Sequence, residues 1–86
     1  MKHAGQDALD ALEPLLGSLR ALPGLKEKAR GTFYVKSRAF LHFHEDPKGL
    51  FADIRGADGG DFERLDVTSE AGRAQLIALA RQRLGA

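Results

Sequence analysis

Apolar residues near the start of the chain recur at the spacing of an α-helix. Between residues 6 and 22 they fall every three or four positions, at Leu9, Leu12, Leu16 and Leu19. This spacing places them on one stripe and predicts a first helix. Pro14 removes one backbone donor, so this helix either begins near Glu13 or bends at the proline. A further helical turn is predicted for residues 25 to 30.

Between Thr32 and Val67, apolar and polar residues alternate, which is typical of β-strands with one buried face. Short turns divide this region into four predicted strands: Thr32–Lys36, Ala39–Glu45, Leu50–Arg55 and Asp61–Val67. The turn at residues 46–49 contains a proline that fixes φ and a glycine that can adopt positive φ. Consecutive short connections predict an antiparallel meander.

Helical spacing returns near the end of the chain. Thr68 or Ser69 can cap the start of this second helix, whose apolar face carries Ala74, Ile77, Ala80 and Leu84. The order of elements is therefore helix, four strands, helix. The predicted fold class is α+β: a single domain over residues 1–86, with a four-stranded antiparallel meander and both helices packed on one face.

Alternation also predicts how the central strands are aligned, because a shift by one residue would move the aliphatic side chains to the other face. Matching the aliphatic residues places Leu41 opposite Ile54. The same match places Phe43, Ala52 and Leu65 side by side on neighbouring strands.

The first strand has two possible alignments with the second. A three-residue loop would send Phe33 and Val35 into the core. It would also place Tyr34 beside His42. A two-residue loop would instead send Tyr34 into the core and turn Phe33 and Val35 to the other face. The sequence leaves the two alignments open.

The other face of the predicted sheet combines aromatic, histidine and charged side chains. Its residues are Phe40, His42, His44, Phe51, Asp53, Arg55, Phe62 and Arg64. In the predicted alignment His42 lies opposite Asp53, which lies opposite Arg64. Aromatic residues and arginine are enriched at protein interfaces. We therefore predict a non-catalytic binding or self-association module, with a protein partner or a homodimer contact on this face.

Two histidines on this face have the spacing of metal ligands. His42 and His44 are two residues apart, so their side chains point the same way along a strand, and Asp53 could be a third ligand. The alternative function is a small metal-dependent or acid–base enzyme centred on these three residues. The spacing resembles the start of the metallo-β-lactamase motif, but Pro47 replaces its last histidine. The favoured structural interpretation is that His42 pairs with Asp53 and His44 packs on Phe51, with no cofactor.

Charge and composition narrow the possible functions further. The chain has 13 basic and 12 acidic residues and a net charge of +1, which is too balanced for a dedicated nucleic-acid-binding protein. It contains no cysteine, which excludes disulfides and thiolate metal sites. No segment approaches roughly 18 consecutive apolar residues, so we predict no membrane span. We expect a cytoplasmic protein.

The run from Gly31 to Asp53 resembles a group of small bacterial proteins. Its centre, residues 40–47, reads Phe-Leu-His-Phe-His-Glu-Asp-Pro. Small bacterial proteins of uncharacterised function carry this core, and the similarity covers about residues 12 to 84. The resemblance implies a bacterial source and a stand-alone domain, and it implies no activity.

Overall fold

The computed structural model describes residues 1–85, which form a mixed α+β structure with an antiparallel sheet. The helices are α1 (Gln6–Ala11), α2 (Glu13–Arg20) and α3 (Glu70–Arg83). The strands are β1 (Lys2–His3), β2 (Lys26–Ala29), β3 (Thr32–Val35), β4 (Arg38–Asp46), β5 (Gly49–Arg55) and β6 (Phe62–Asp66). Within residues 1–85, no helix combines the length and the apolar character that crossing a bilayer requires.

The sheet contains six strands, in the order β2-β3-β4-β5-β6, with β1 paired to β4. The prediction of four strands is therefore wrong. Residues 25 to 30, predicted as a helical turn, instead contribute β2, which pairs with β3 across a tight turn at Arg30 and Gly31. Gly31 has a φ of 80°, which glycine adopts readily and which a right-handed helix excludes. The other added strand, β1, has two residues, too few to show alternation.

Pro14 divides the predicted first helix into two. α1 ends at Ala11, and Leu12 between the helices has φ −91° and ψ 0°, outside the helical region. α2 begins at Glu13 and has Pro14 in its first turn. A backbone N–H at this position has no acceptor within the helix, so its absence in proline costs no hydrogen bond. Of the two alternatives, a helix that begins near Glu13 is confirmed, and a separate short helix precedes it.

The predicted alignment of the central strands is confirmed. Phe43, Ala52 and Leu65 lie side by side on β4, β5 and β6. Their face of the sheet packs against the helices, and a shift of the register by one residue would place these side chains in water. His42 lies opposite Asp53 on the face that looks away from the helices, which we call the open face.

A bulge at Phe40 resolves the alignment of β3 with β4. Phe33 lies opposite Leu41, but Tyr34 lies opposite Ala39, so Phe40 is an extra residue on β4. Phe33 is buried, as a three-residue loop required, although the turn between the strands has only two residues. Phe40 itself is 7% exposed and belongs to the core. The prediction that Phe40 lies on the open face is therefore wrong.

One hydrophobic core lies between the sheet and the helices. Its buried members are Leu12, Leu15, Leu16, Leu19, Leu22, Phe33, Phe40, Leu41, Phe43, Ala52, Ile54, Val67, Leu76 and Ala80. They come from α2, α3, the adjoining loops and the aliphatic face of the sheet, so both helices cover the same face. Of the two predicted caps, Thr68 and Ser69, it is Ser69 that caps α3, by accepting a hydrogen bond from the Gly72 N–H at 3.2 Å.

Candidate metal centre

Strand β4 places His42 and His44 on the open face. The two residues are separated by one position, so their side chains leave the strand in the same direction. β5 brings Asp53 opposite His42, and β6 brings Arg64 opposite Asp53. The sequence predicted this row, because the register that buries the aliphatic residues also fixes their neighbours on the other face.

β1 adds the third histidine of the chain to this face. His3 is paired with His44 where β1 and β4 run antiparallel. The two imidazole rings stack, with their centres 4.8 Å apart and their planes inclined by 27°. Sequence reasoning missed His3, because a strand of two residues has no alternation to detect. We refer to His3, His42 and His44 as the histidine cluster.

The ring nitrogens of the histidine cluster converge. Nδ1 of His42 and Nε2 of His44 are 3.0 Å apart. Nε2 of His44 is also 3.2 Å from Oδ2 of Asp53. One ligand atom from each of the three histidines lies within 4.8 Å of the others. The side chain of His3 is exposed, whereas those of His42 and His44 are half-buried.

The surroundings keep the two central histidines neutral and Asp53 ionised. Burial lowers the pKa of His42 and of His44 below the usual 6.5. Arg64 donates two hydrogen bonds to Asp53, from Nε at 2.7 Å and from Nη2 at 2.8 Å. These bonds lower the pKa of Asp53 below its usual value. At pH 7 His42 and His44 are therefore neutral imidazoles, the form in which histidine binds metals.

The contacts of His44 leave its hydrogen bonding incomplete. A proton on Nε2 can form one linear hydrogen bond, to Asp53 or to His42, although both acceptors lie within 3.2 Å. The other nitrogen, Nδ1, is buried and has no hydrogen-bond partner of good geometry among residues 1–85. The backbone of Lys2 lies close enough to the ring to favour its protonated form. Buried polar atoms are normally paired. A cation between the ring nitrogens and the carboxylate would use the lone pairs that converge here.

The partners of the two central histidines differ from the prediction. We expected His42 to pair with Asp53 and His44 to pack on Phe51. Instead, Nε2 of His44 reaches Asp53, and the ring of His42 meets Phe62 edge-on, with ring centres 4.8 Å apart. The twist of a sheet brings diagonal neighbours within reach of long side chains, which a flat alignment does not show.

The remaining residues predicted for the open face are partly enclosed. Phe51 and Phe62 are half-buried, and the guanidinium of Arg55 lies over the Phe62 ring, 4.3 Å from its centre. Among the residues that the structure describes, Met1 is the only large hydrophobic residue that is exposed. The open face therefore combines half-buried aromatic rings with the polar side chains of the histidine cluster.

The chain matches no protein-family model, no curated protein sequence and no solved structure. Any assignment of function therefore depends on the geometry of its own residues. The resemblance of residues 40–47 to a group of bacterial proteins stays a prediction.

Proposed function

We propose that the chain binds one divalent transition-metal ion, with zinc as the reference ion, through the histidine cluster. The observation that supports this most directly is the convergence of one nitrogen from each of His3, His42 and His44 within 4.8 Å. Imidazole is a preferred ligand of zinc, copper, iron and nickel, whereas magnesium and calcium prefer oxygen. Three imidazoles therefore favour a transition metal over an alkaline-earth ion.

The separations of the ring nitrogens are close to those of a tetrahedral zinc site. Zinc–nitrogen bonds are about 2.0–2.1 Å long, so two nitrogens on one zinc are about 3.3–3.4 Å apart. Nδ1 of His42 and Nε2 of His44, at 3.0 Å, are already near this separation. The ligand atom of His3 lies within 4.8 Å, and its exposed side chain can close the difference by rotating.

Asp53 is the best-placed fourth ligand. Its Oδ2 lies 3.2 Å from Nε2 of His44, and zinc accepts a carboxylate oxygen at about 2.0–2.2 Å. Arg64 holds Oδ1 of the same carboxylate at 2.7 Å and so fixes its orientation. Three imidazoles and Asp53 would complete a tetrahedron, which favours binding over catalysis. A metal-dependent enzyme would require Asp53 to leave the fourth position to water.

Calorimetric titration of the untagged protein with zinc chloride tests the proposal. We expect one zinc ion per chain. His42→Ala should weaken the affinity at least about tenfold, because a metal ligand is lost. His3→Ala should also weaken it, because the third imidazole is removed. Lys2→Ala is the matched control, since Lys2 is exposed and next to His3 on the same strand, with its side chain on the opposite side.

Circular dichroism of each variant establishes that it remains folded. Two results would contradict the proposal. The first is wild-type protein that binds no zinc at micromolar concentrations. The second is folded His42→Ala protein that binds zinc as tightly as the wild type.

Self-association through the open face is the second proposal. Phe62 and Arg55, which stack on each other, are the residue types most typical of a protein interface. The β2 edge of the sheet is less suitable, because it carries exposed Lys26 and Lys28, which oppose the pairing of edge strands. Light scattering with and without zinc measures the mass, and 9.3 kDa under both conditions would contradict a dimer.

A further inference from the structure

A cavity of about 370 Å³ lies among three segments: the turn between β3 and β4, the loop after β5, and the end of α3. Its charged lining residues are all basic: Lys36, Arg38, Arg55 and Arg83. No acidic residue lines it. Phe40, which the bulge turns into the core, forms part of its apolar wall. The volume is within the range of small-molecule sites.

The protein leaves most of this positive charge without a counter-ion. Arg83 donates to both carboxylate oxygens of Glu63, at 2.9 and 2.8 Å, so its charge is paired. Lys36, Arg38 and Arg55 form no ion pair with any residue from 1 to 85. Cations that line one cavity raise the local concentration of anions.

Arg55 is held in place and still has donors available. Its Nε and Nη2 donate to the carbonyl of Ala39, at 3.0 and 2.8 Å, and its Nη1 donates to the carbonyl of Gly60 at 3.0 Å. A guanidinium has five N–H groups, so one remains free on each terminal nitrogen. Because its partners are neutral carbonyls, Arg55 keeps its full charge for an anion.

Lys36 has an unfavourable backbone conformation at the rim of the cavity. Its φ is 58°, and it is the only residue other than glycine with a positive φ in the part of the chain that the structure describes. Glycine or asparagine is usual at such a turn position, because a side chain at positive φ approaches the backbone closely. Strain that persists beside a cavity is typical of functional sites.

We infer that this cavity binds the phosphate group of a small phosphate ester. A phosphate monoester carries about 1.5–2 negative charges at pH 7, which suits three unpaired cations. Arginine forks bind phosphate oxygens in pairs, and Arg55 lines the cavity with two N–H groups still unused. Arg38 donates to the carbonyl of Gly59 at 2.8 Å, and its exposed side chain retains further donors. The apolar part of the ester would pack against Phe40.

Titration of ¹⁵N-labelled, metal-free protein with phenyl phosphate, followed by NMR, tests this inference. We expect saturable shifts of the amide signals of Arg38 and Gly59. Inorganic phosphate should bind more weakly, because it has no apolar part. Arg38→Gln should weaken phenyl phosphate binding roughly tenfold or more, since charge-assisted hydrogen bonds are lost. Arg81→Gln makes the same charge change on an exposed residue outside the cavity and should leave binding unchanged.

Lys36→Gly is the second variant. It should raise the melting temperature, because glycine tolerates positive φ, and weaken phenyl phosphate binding several-fold, because a cation is lost. Equal losses in Arg38→Gln and Arg81→Gln would show non-specific attraction and overturn the inference. The absence of saturable shifts would also overturn it. Benzoate binding as tight as that of phenyl phosphate would overturn the assignment to phosphate.

Discussion

Gly72→Ala is predicted to destabilise the protein, although the same replacement stabilises most helices. Gly72 is buried in the first turn of α3, next to the backbone at the end of β6. A methyl group there would overlap the carbonyl oxygen of Asp66 and lie 3.4 Å from Cα of Val67. Both neighbours are backbone atoms, so no side chain can rotate away. The variant must therefore displace α3 from the sheet and weaken its contacts with the core.

Two opposing contributions set the size of the effect. Replacing glycine by alanine inside a helix stabilises it by roughly 0.5–1 kcal/mol. Inserting a group into a packed site typically destabilises by about 1–3 kcal/mol, and overlap with backbone falls at the upper end of that range. We expect a net loss of about 1–2 kcal/mol in the free energy of unfolding. In a domain of this size, that loss lowers the melting temperature by roughly 5–15 °C.

Urea and thermal unfolding followed by circular dichroism measure the effect. Gly17→Ala is the matched control, because Gly17 lies within α2 and a methyl group there would have no atom within 4 Å. This control should stabilise the protein by about 0.5–1 kcal/mol. Midpoints that shift in the same direction in both variants would refute the reasoning, since the close approach of Gly72 to the backbone of Asp66 would then have no consequence.

Three further predictions concern polar and charged groups. Ser69→Ala removes the N-cap of α3 and should cost about 1 kcal/mol in urea unfolding, and an unchanged midpoint would contradict the role of the cap. Arg64→Ala leaves the buried Asp53 without its ionic partner and should lower the urea midpoint. Because Arg64 is itself 49% exposed, water replaces part of the lost interaction. A wild-type midpoint would show that the pair contributes nothing. Hydrogen bonds from Arg20 and Arg30 lower the pKa of Glu13 from 4.5 to about 2. A carboxylate with a lowered pKa stabilises the fold above its unfolded pKa, and this contribution is lost as the pH falls through the folded value. The urea midpoint of Glu13→Gln should therefore fall less than that of the wild type between pH 4.5 and pH 2. Midpoints that fall equally in both proteins would contradict this contribution of Glu13.

The alignment of β4, β5 and β6 could be predicted because hydrophobic burial decides it. Exposing a side chain such as Leu41 or Ile54 costs about 1.5–3 kcal/mol, and a shift by one residue would expose the whole set. The same register places His42 and Asp53 on the open face. Part of the candidate site therefore followed from the position of the core.

The rest of the site depends on contacts that alternation does not encode. β2 has one apolar residue among four, so its place in the sheet is determined by the turn at Gly31 and not by its own pattern. β1 is held by its pairing with β4, which left His3 undetected. The bulge at Phe40 adds one residue to β4 and turns a large apolar side chain into the core, where its burial is favourable.

Native mass spectrometry of the untagged chain with equimolar zinc tests the histidine cluster most directly, because one spectrum counts both bound metal and subunits. We predict that each folded chain carries one zinc ion, in a monomer or in a dimer, and that His3→Ala reduces the bound fraction. Folded wild-type protein that stays metal-free under these conditions would contradict the assignment of His3, His42 and His44 as metal ligands.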